Sequence, residues 1–195
     1  MDLWDIERSL RSEGYTIVCG VDEAGRGPLA GPVYASAVIF PADIEIRGLN
    51  DSKKLSEKTR ETLFDIIIDK ASAYSIAYAD HTEIDRLNIL NATFLARRRA
   101  VDALGQKPDV ALIDGNRDPG VGFYTRCIVG GDGKAACIAA ASILAKVSRD
   151  RFMVDMAIKY PQYGFERHKG YGTKLHYEML REYGPSEIHR KTFLK

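Results

Sequence analysis

The sequence predicts a mixed α/β fold, a five-stranded sheet flanked by helices. Three observations carry that reading. Short β-prone apolar runs alternate with longer amphipathic stretches in the order β-β-α-β-α-β-β-α-α. Three of the predicted strands run into acidic residues: Asp22-Glu23, Asp114 and Asp132. The chain has 195 residues, 45% hydrophobic and 28% charged, enough to bury one core and ordinary for a globular protein.

The elements follow in order. Residues 15–21 (YTIVCGV) form a short apolar run that stops at Asp22-Glu23. Residues 31–40 (GPVYASAVIF) read as a second strand ended by Pro41, and the Gly/Pro-rich stretch between the two is a tight connection. Ser56 caps an amphipathic helix through Asp69. Residues 73–79 suit a third strand, and residues 85–104 a helix ended by Gly105 and Pro108. A buried strand at 110–113 (VALI) delivers Asp114, and another at 123–129 closes on Gly130-Gly131 before Asp132. Residues 134–158 form a long helix whose many alanines suit close packing on a sheet. A last helix covers 173–182, within a small C-terminal helical extension from about residue 160. No repeat, linker or low-complexity tract divides residues 1–195, so a single domain is expected.

Composition excludes several classes. No apolar run is long enough to cross a bilayer, and residues 1–13 alternate acid and base, unlike a secretory signal. A cytoplasmic location without membrane contact is expected. Cys19, Cys127 and Cys137 are odd in number, far apart and set among apolar neighbours, which predicts buried reduced thiols. Net charge is +1, unevenly spread. Residues 142–195 hold 11 Lys+Arg against 6 Asp+Glu, net +5, while residues 1–141 hold 17 against 21, net −4. A basic C-terminal part suits a polyanion, and a solvated helical face explains it equally.

The chemistry lies in the acids. Ligands of open α/β sheets gather at the carboxyl ends of strands. A single Asp after a strand is commonly a turn residue. Several brought together repel and resist ionisation unless a cation neutralises them. Oxygen ligands without Cys or His favour Mg²⁺ or Mn²⁺ over Zn²⁺. Such a cluster points to phosphoryl chemistry, in which two cations about 4 Å apart assist an in-line displacement. Residue types and spacing do not name the substrate.

Specific motifs go further. Residues 20–33 read GVDEAGRGPLAGPV, followed by DSKKL at 51–55, IDGN at 113–116, GD at 131–132 leading into IAAASILAKVSRDR at 138–151, HKGYGT at 168–173, and HR at 189–190. In this order they resemble bacterial type 2 ribonuclease H (ribonuclease HII) across about residues 15–193. The resemblance implies a ribonuclease H-like fold, with Asp22, Glu23, Asp114 and Asp132 as catalytic and metal-holding carboxylates. It implies cleavage of RNA in RNA–DNA hybrids and on the 5′ side of ribonucleotides embedded in duplex DNA. It further implies that the Gly25-Arg26-Gly27 turn reads the 2′-hydroxyl, the group distinguishing RNA from DNA, and that Tyr171 packs on the neighbouring sugar. Ser52, Lys53 and Lys54 match a segment near the phosphate backbone, and Lys146 and Arg149 are expected phosphate contacts. Asp150 is open between a supporting role at the metal site and a helix-surface salt bridge. His168, His176 and His189 are expected at most as backbone or phosphate neighbours.

One departure is visible. Gly130 stands where many members carry lysine. The chain is also too short for the extra N-terminal substrate-binding domain of type 3 ribonuclease H, and a monomer is expected. Two rival readings stay open at this point: a DNA strand transferase or junction resolvase with similar acids, and an idle nucleic-acid-binding module.

Overall fold

The computed structural model describes residues 2–194. Its sheet has five strands: β1 (Val18–Ala24), β2 (Val33–Ile39), β3 (Ala73–Ala79), β4 (Val110–Asp114) and β5 (Thr125–Ile128), in the spatial order β3-β2-β1-β4-β5. β1 to β3 are joined antiparallel, whereas β4 and β5 run parallel to β1. The sheet is therefore mixed, as the sequence predicts. It places the carboxyl ends of β1 and β4 side by side, with Val21 opposite Ile113.

Side-chain alternation along each strand feeds two cores. Val18, Val110 and Leu112 face one side, where they meet α5 (Ala136–Lys159) and α2 (Glu57–Lys70). Cys19, Val21, Ala111 and Ile113 face the other, against α4 (Ile89–Asp102). The alanines of α5 let the helix settle directly on β1. At Gly20 an added Cβ would lie 2.2 Å from the carbonyl carbon of Cys137, so that contact is backbone on backbone. A third cluster, built on Ala30, Met153, Tyr163, Phe165 and Ile188, seats α6 (Phe165–His168) and α7 (Lys174–Tyr183) beside the far half of α5.

Helix ends obey local capping chemistry. The Ser56 hydroxyl accepts from Thr59 N at 3.1 Å, starting α2 where the sequence predicts. The expected helix over 85–104 is instead two, α3 (His81–Leu87) and α4, broken at Asn88. Asn88 takes φ +66°, and its side chain accepts from Asn91 N at 3.1 Å. The start of α3 carries a capping box between Asp80 and Glu83. An N-terminal helix unassigned by the sequence reading, α1 (Asp5–Ser12), buries Leu10 and Glu7. The Glu7 carboxylate accepts from Cys137 N at 2.8 Å, capping the first turn of α5 from 130 residues away. One expectation fails among the cysteines. Cys19 and Cys137 are buried, but Cys127 is exposed because β5 is an edge strand with an uncovered outer face. Among the described residues no helix is long and apolar enough to cross a membrane.

Candidate active site

β1 ends in two acids that alternation sends to opposite faces of the sheet. Asp22 follows Val18 and Gly20 to the α5 side, while Glu23 follows Cys19 and Val21 to the α4 side. Asp22 is only 4% exposed. Burial holds its carboxyl well above the usual carboxylate range, and the neighbouring charges of Glu23 and Asp114 push in the same direction. Asp132 is also raised, by burial and then by Asp114 and Asp51. Asp114 ends β4, and its Oδ1 accepts from Gly131 N at 2.7 Å, tying it to the turn that presents Asp132. Lys53 Nζ stands 3.6 Å from Asp132 Oδ2. Partial burial works against the Lys53 charge, but Asp132, Asp22, Asp51 and Asp114 together hold it protonated above its ordinary range.

Four carboxylates thus share one end of the sheet, with more negative charge than the neighbouring cations relieve. Burial and mutual repulsion at Asp22 and Asp132, with an all-oxygen donor set, suit a hard divalent cation. The side chains are not drawn onto a common point. Among the described residues no three acidic, cysteine or histidine groups converge as an ion-holding cluster. Glu23 is held back by Arg97, whose Nε donates to Oε2 at 2.9 Å and whose Nη2 contacts the same oxygen and donates to Asp114 O at 2.8 Å. Arg26 Nη1 lies 3.6 Å from the other Glu23 oxygen.

A cleft of about 250 Å³ opens beside these acids. Its wall brings together the Gly25-Arg26-Gly27 turn, Ser52, Lys53, Lys146 and Tyr171, from four separate stretches of chain. Tyr171 is 44% exposed, and its ring edge lies 3.6 Å from where a Cβ on Gly27 would stand. A second cleft of about 410 Å³, on the far side of Glu23 and Arg26, is walled by Arg97, Asp114 and Asn116.

A ribonuclease HII family profile matches residues 19–195. The chain is 56% identical over 192 residues to a ribonuclease HII of Caldicellulosiruptor bescii, covering 98% of this chain and 93% of that one. The chain belongs to the ribonuclease HII family. It is 57% identical over 177 residues to the ribonuclease HII of Burkholderia mallei, across 91% of this chain and 83% of that one. Among solved structures, the ribonuclease H2 of Pyrococcus horikoshii superposes with a TM-score of 0.75 at 30% identity, covering 90% of this chain and 93% of that one. The sheet is accordingly a ribonuclease H-like one. As a ribonuclease HII, the chain is an endonuclease that hydrolyses RNA paired with DNA.

Arg149 and Lys54, expected near substrate phosphates, lie outside the wall of the cleft. Arg149 is buried, and its guanidinium donates to the carbonyls of Pro32 and Ala30, so it has no path to a phosphate. Lys54 is exposed, outside the wall of the cleft. Ser52 lines the cleft but is buried there, and its hydroxyl shares a 2.9 Å hydrogen bond with that of Ser142. Asp150 forms an i,i+4 salt bridge to Lys146 at 2.7 Å. The three C-terminal histidines are buried and face one another rather than a phosphate. Ser186 N donates to His189 Nδ1, which leaves His189 Nε2 to donate to His176 Nε2 at 2.9 Å. His176 Nδ1 in turn donates to Tyr171 O at 2.9 Å. His176 and His189 are thereby each fixed in a neutral tautomer. Burial and the adjacent His176 push His189 down to about 4.

Two residues of the site escaped the sequence reading in the roles they occupy. Arg97 lies on the buried stripe of α4 with Ala92, Thr93, Ala96 and Ala100. A cation on such a stripe is itself a signal that an acid waits opposite. In the sequence Arg190 is legible only as part of a motif; the fold sets its partners, the carbonyls of Gly25 and Arg26.

Proposed function

We propose that the chain cleaves the phosphodiester on the 5′ side of ribonucleotides embedded in duplex DNA, besides the RNA strand of hybrids, and leaves a 3′-hydroxyl and a 5′-phosphate. The observation that carries this reading is the gathering of acids at the ends of β1 and β4 and in the turn before α5, beside a cleft rimmed by Gly25-Arg26-Gly27 and Tyr171, with Asp22 and Asp132 raised by burial and by neighbouring negative charge. Asp22, Glu23, Asp114 and Asp132 would hold Mg²⁺ or Mn²⁺, two ions with substrate bound. The bound cations supply positive charge at the scissile phosphate and activation of the attacking water.

The chain's own residues do the rest. Asp22 and Asp114, on the same face of adjoining strands, fix where the phosphate sits. Lys53 and Lys146 line the route of the backbone, and the Gly25-Arg26-Gly27 turn meets the sugar. Tyr171 offers a half-exposed ring to the next sugar. Positioning and charge stabilisation would supply nearly all the rate. The protein acts as a single catalytic domain with a C-terminal helical extension, monomeric and cytoplasmic.

Cleavage-site mapping tests this. A duplex with one embedded ribonucleotide, incubated with Mg²⁺ or Mn²⁺, is expected to be cut once, 5′ to that nucleotide, and the all-DNA duplex left intact. Asp22→Asn and Asp114→Asn are expected to abolish cutting while hybrid binding largely survives. Cutting of the all-DNA duplex would favour a resolvase-like enzyme, and turnover by either variant at the wild-type rate would refute the carboxylate assignment.

A further inference from the structure

The two bulkiest fully buried side chains are arginines, Arg149 at 1% and Arg190 at 0% exposure. Neither forms a salt bridge with a carboxylate among the described residues. A buried cation without a counter-charge is expensive unless its donors are used. Those of Arg190 go to one stretch of chain: Nε to Gly31 O at 2.9 Å, Nη1 to Arg26 O at 2.9 Å, and Nη2 to Gly25 O at 2.6 Å and Pro32 O at 3.2 Å. Arg149 donates to Pro32 O at 3.1 Å and Ala30 O at 3.2 Å. All these acceptors lie within residues 25–32.

Peptide geometry converts this clamp into a direction. All the peptide bonds described are trans, and in a trans peptide the N–H points opposite to the C=O of the same plane. Drawing the Gly25 and Arg26 carbonyls inward onto Arg190 turns the amides of Arg26 and Gly27 away from it. Neither amide donates to an acceptor among the described residues. Gly25 is required beneath this turn: its φ is +97°, and an added Cβ would lie 2.1 Å from Arg149 Nε. Arg149 also places its guanidinium 5.8 Å from the centre of the Tyr171 ring. The C-terminal extension completes the frame, with Leu29 N donating to Gly170 O at 2.8 Å and Arg190 N to Leu29 O at 2.9 Å.

We infer that Arg190 is a positioning residue for sugar discrimination: by holding the Gly25 and Arg26 carbonyls inward it aims the Arg26 and Gly27 amides, as paired donors, at the 2′-oxygen of a ribonucleotide. This rests on the proposal that the turn meets that sugar. Arg149 has the companion task of keeping the turn and Tyr171 in register.

Arg190→Lys keeps the charge but cannot span four carbonyls. Its affinity for a duplex with one ribonucleotide is compared with its affinity for the same duplex in all-DNA form, with Ca²⁺ replacing Mg²⁺. The variant is expected to lose most of the wild-type preference for the ribonucleotide while all-DNA affinity is unchanged, and kcat/KM on the ribonucleotide duplex falls by about 100-fold, the scale of an ångström-level misplacement. A purely structural role would weaken both duplexes alike. Amide exchange on the wild-type protein gives a readout independent of the variant's folding. Arg26 and Gly27 are expected to gain protection with the ribonucleotide duplex and not with all-DNA. Wild-type preference retained by a folded Arg190→Lys, or equal protection by both duplexes, overturns the inference. A wild-type protein without any preference instead overturns the proposed function beneath it.

Discussion

Asp22 and Glu23 are adjacent in sequence yet meet different surroundings. The strand period of two sends Asp22 among other carboxylates on the α5 side and Glu23 to Arg97 on the α4 side. Two predictions follow from that division. Asp22 is raised because its charge is buried and repelled, so Asp22→Asn relieves the metal-free protein. Its thermal midpoint is expected at or above wild type in EDTA, and the rise that Mg²⁺ or Mn²⁺ gives wild type is expected to vanish. A midpoint clearly below wild type in EDTA would contradict the repulsion argument. The Arg97–Glu23 pair is buried on both sides, and removing one partner of such a pair costs about 3–5 kcal/mol. Arg97→Gln is therefore expected to destabilise the metal-free protein strongly and the metal-loaded protein less, because a cation near Glu23 takes over part of the neutralisation. Equal losses with and without Mg²⁺ would show that Glu23 does not face the ion.

Among the elements, the β1–α5 contact sets the position of Asp22 relative to Asp132. It depends on Gly20, where an added methyl meets the α5 backbone at Cys137 and Ile138. Backbone cannot yield as a flexible side chain does, so Gly20→Ala is expected to cost at least about 1–3 kcal/mol, or several degrees of thermal midpoint at about 2–4 °C per kcal/mol. Gly133→Ala, with open space around it, is the control and is expected to be near neutral. The sequence marked α5 clearly, because its run of alanines has no strand-like alternation. It did not mark the break at Asn88. A capping asparagine at positive φ competes locally with a continuous apolar period, and the period dominated the reading over 85–104.

Over the whole molecule, the C-terminal extension acts as a strap. Its His176 and His189 hydrogen-bond to each other beneath Tyr171 and are both depressed by burial, His189 to about 4 with His176 adding to the effect. In the unfolded chain a histidine takes up its proton near 6.5. The folded state therefore binds fewer protons between about 6.5 and 4, so this contribution to stability is complete above 6.5 and is lost as pH falls toward 4. The thermal midpoint is expected to drop between pH 7 and pH 4.5, and the drop to shrink in His189→Gln even if that variant starts lower. An unchanged slope would show that the cluster does not carry the pH dependence.

By itself the sequence determined the class of sheet, the strands that carry the acids, the oxygen-only character of the site and the family to which the chain belongs. Those properties are local: alternation, turn residues and motif chemistry can be read from a few neighbours in the chain. The tertiary structure alone decided where the cations are spent. Lys53 faces the acids, whereas Arg97, Arg149 and Arg190 are buried, Arg97 against Glu23, Arg149 against the carbonyls of Ala30 and Pro32, and Arg190 against those of Gly25 and Arg26. Arg149 in sequence is one basic residue among several, and only packing reveals that its nearest acceptors lie 117 residues earlier in the chain. A charged side chain's partner is set by which distant backbone is folded against it, and no local pattern records that distance.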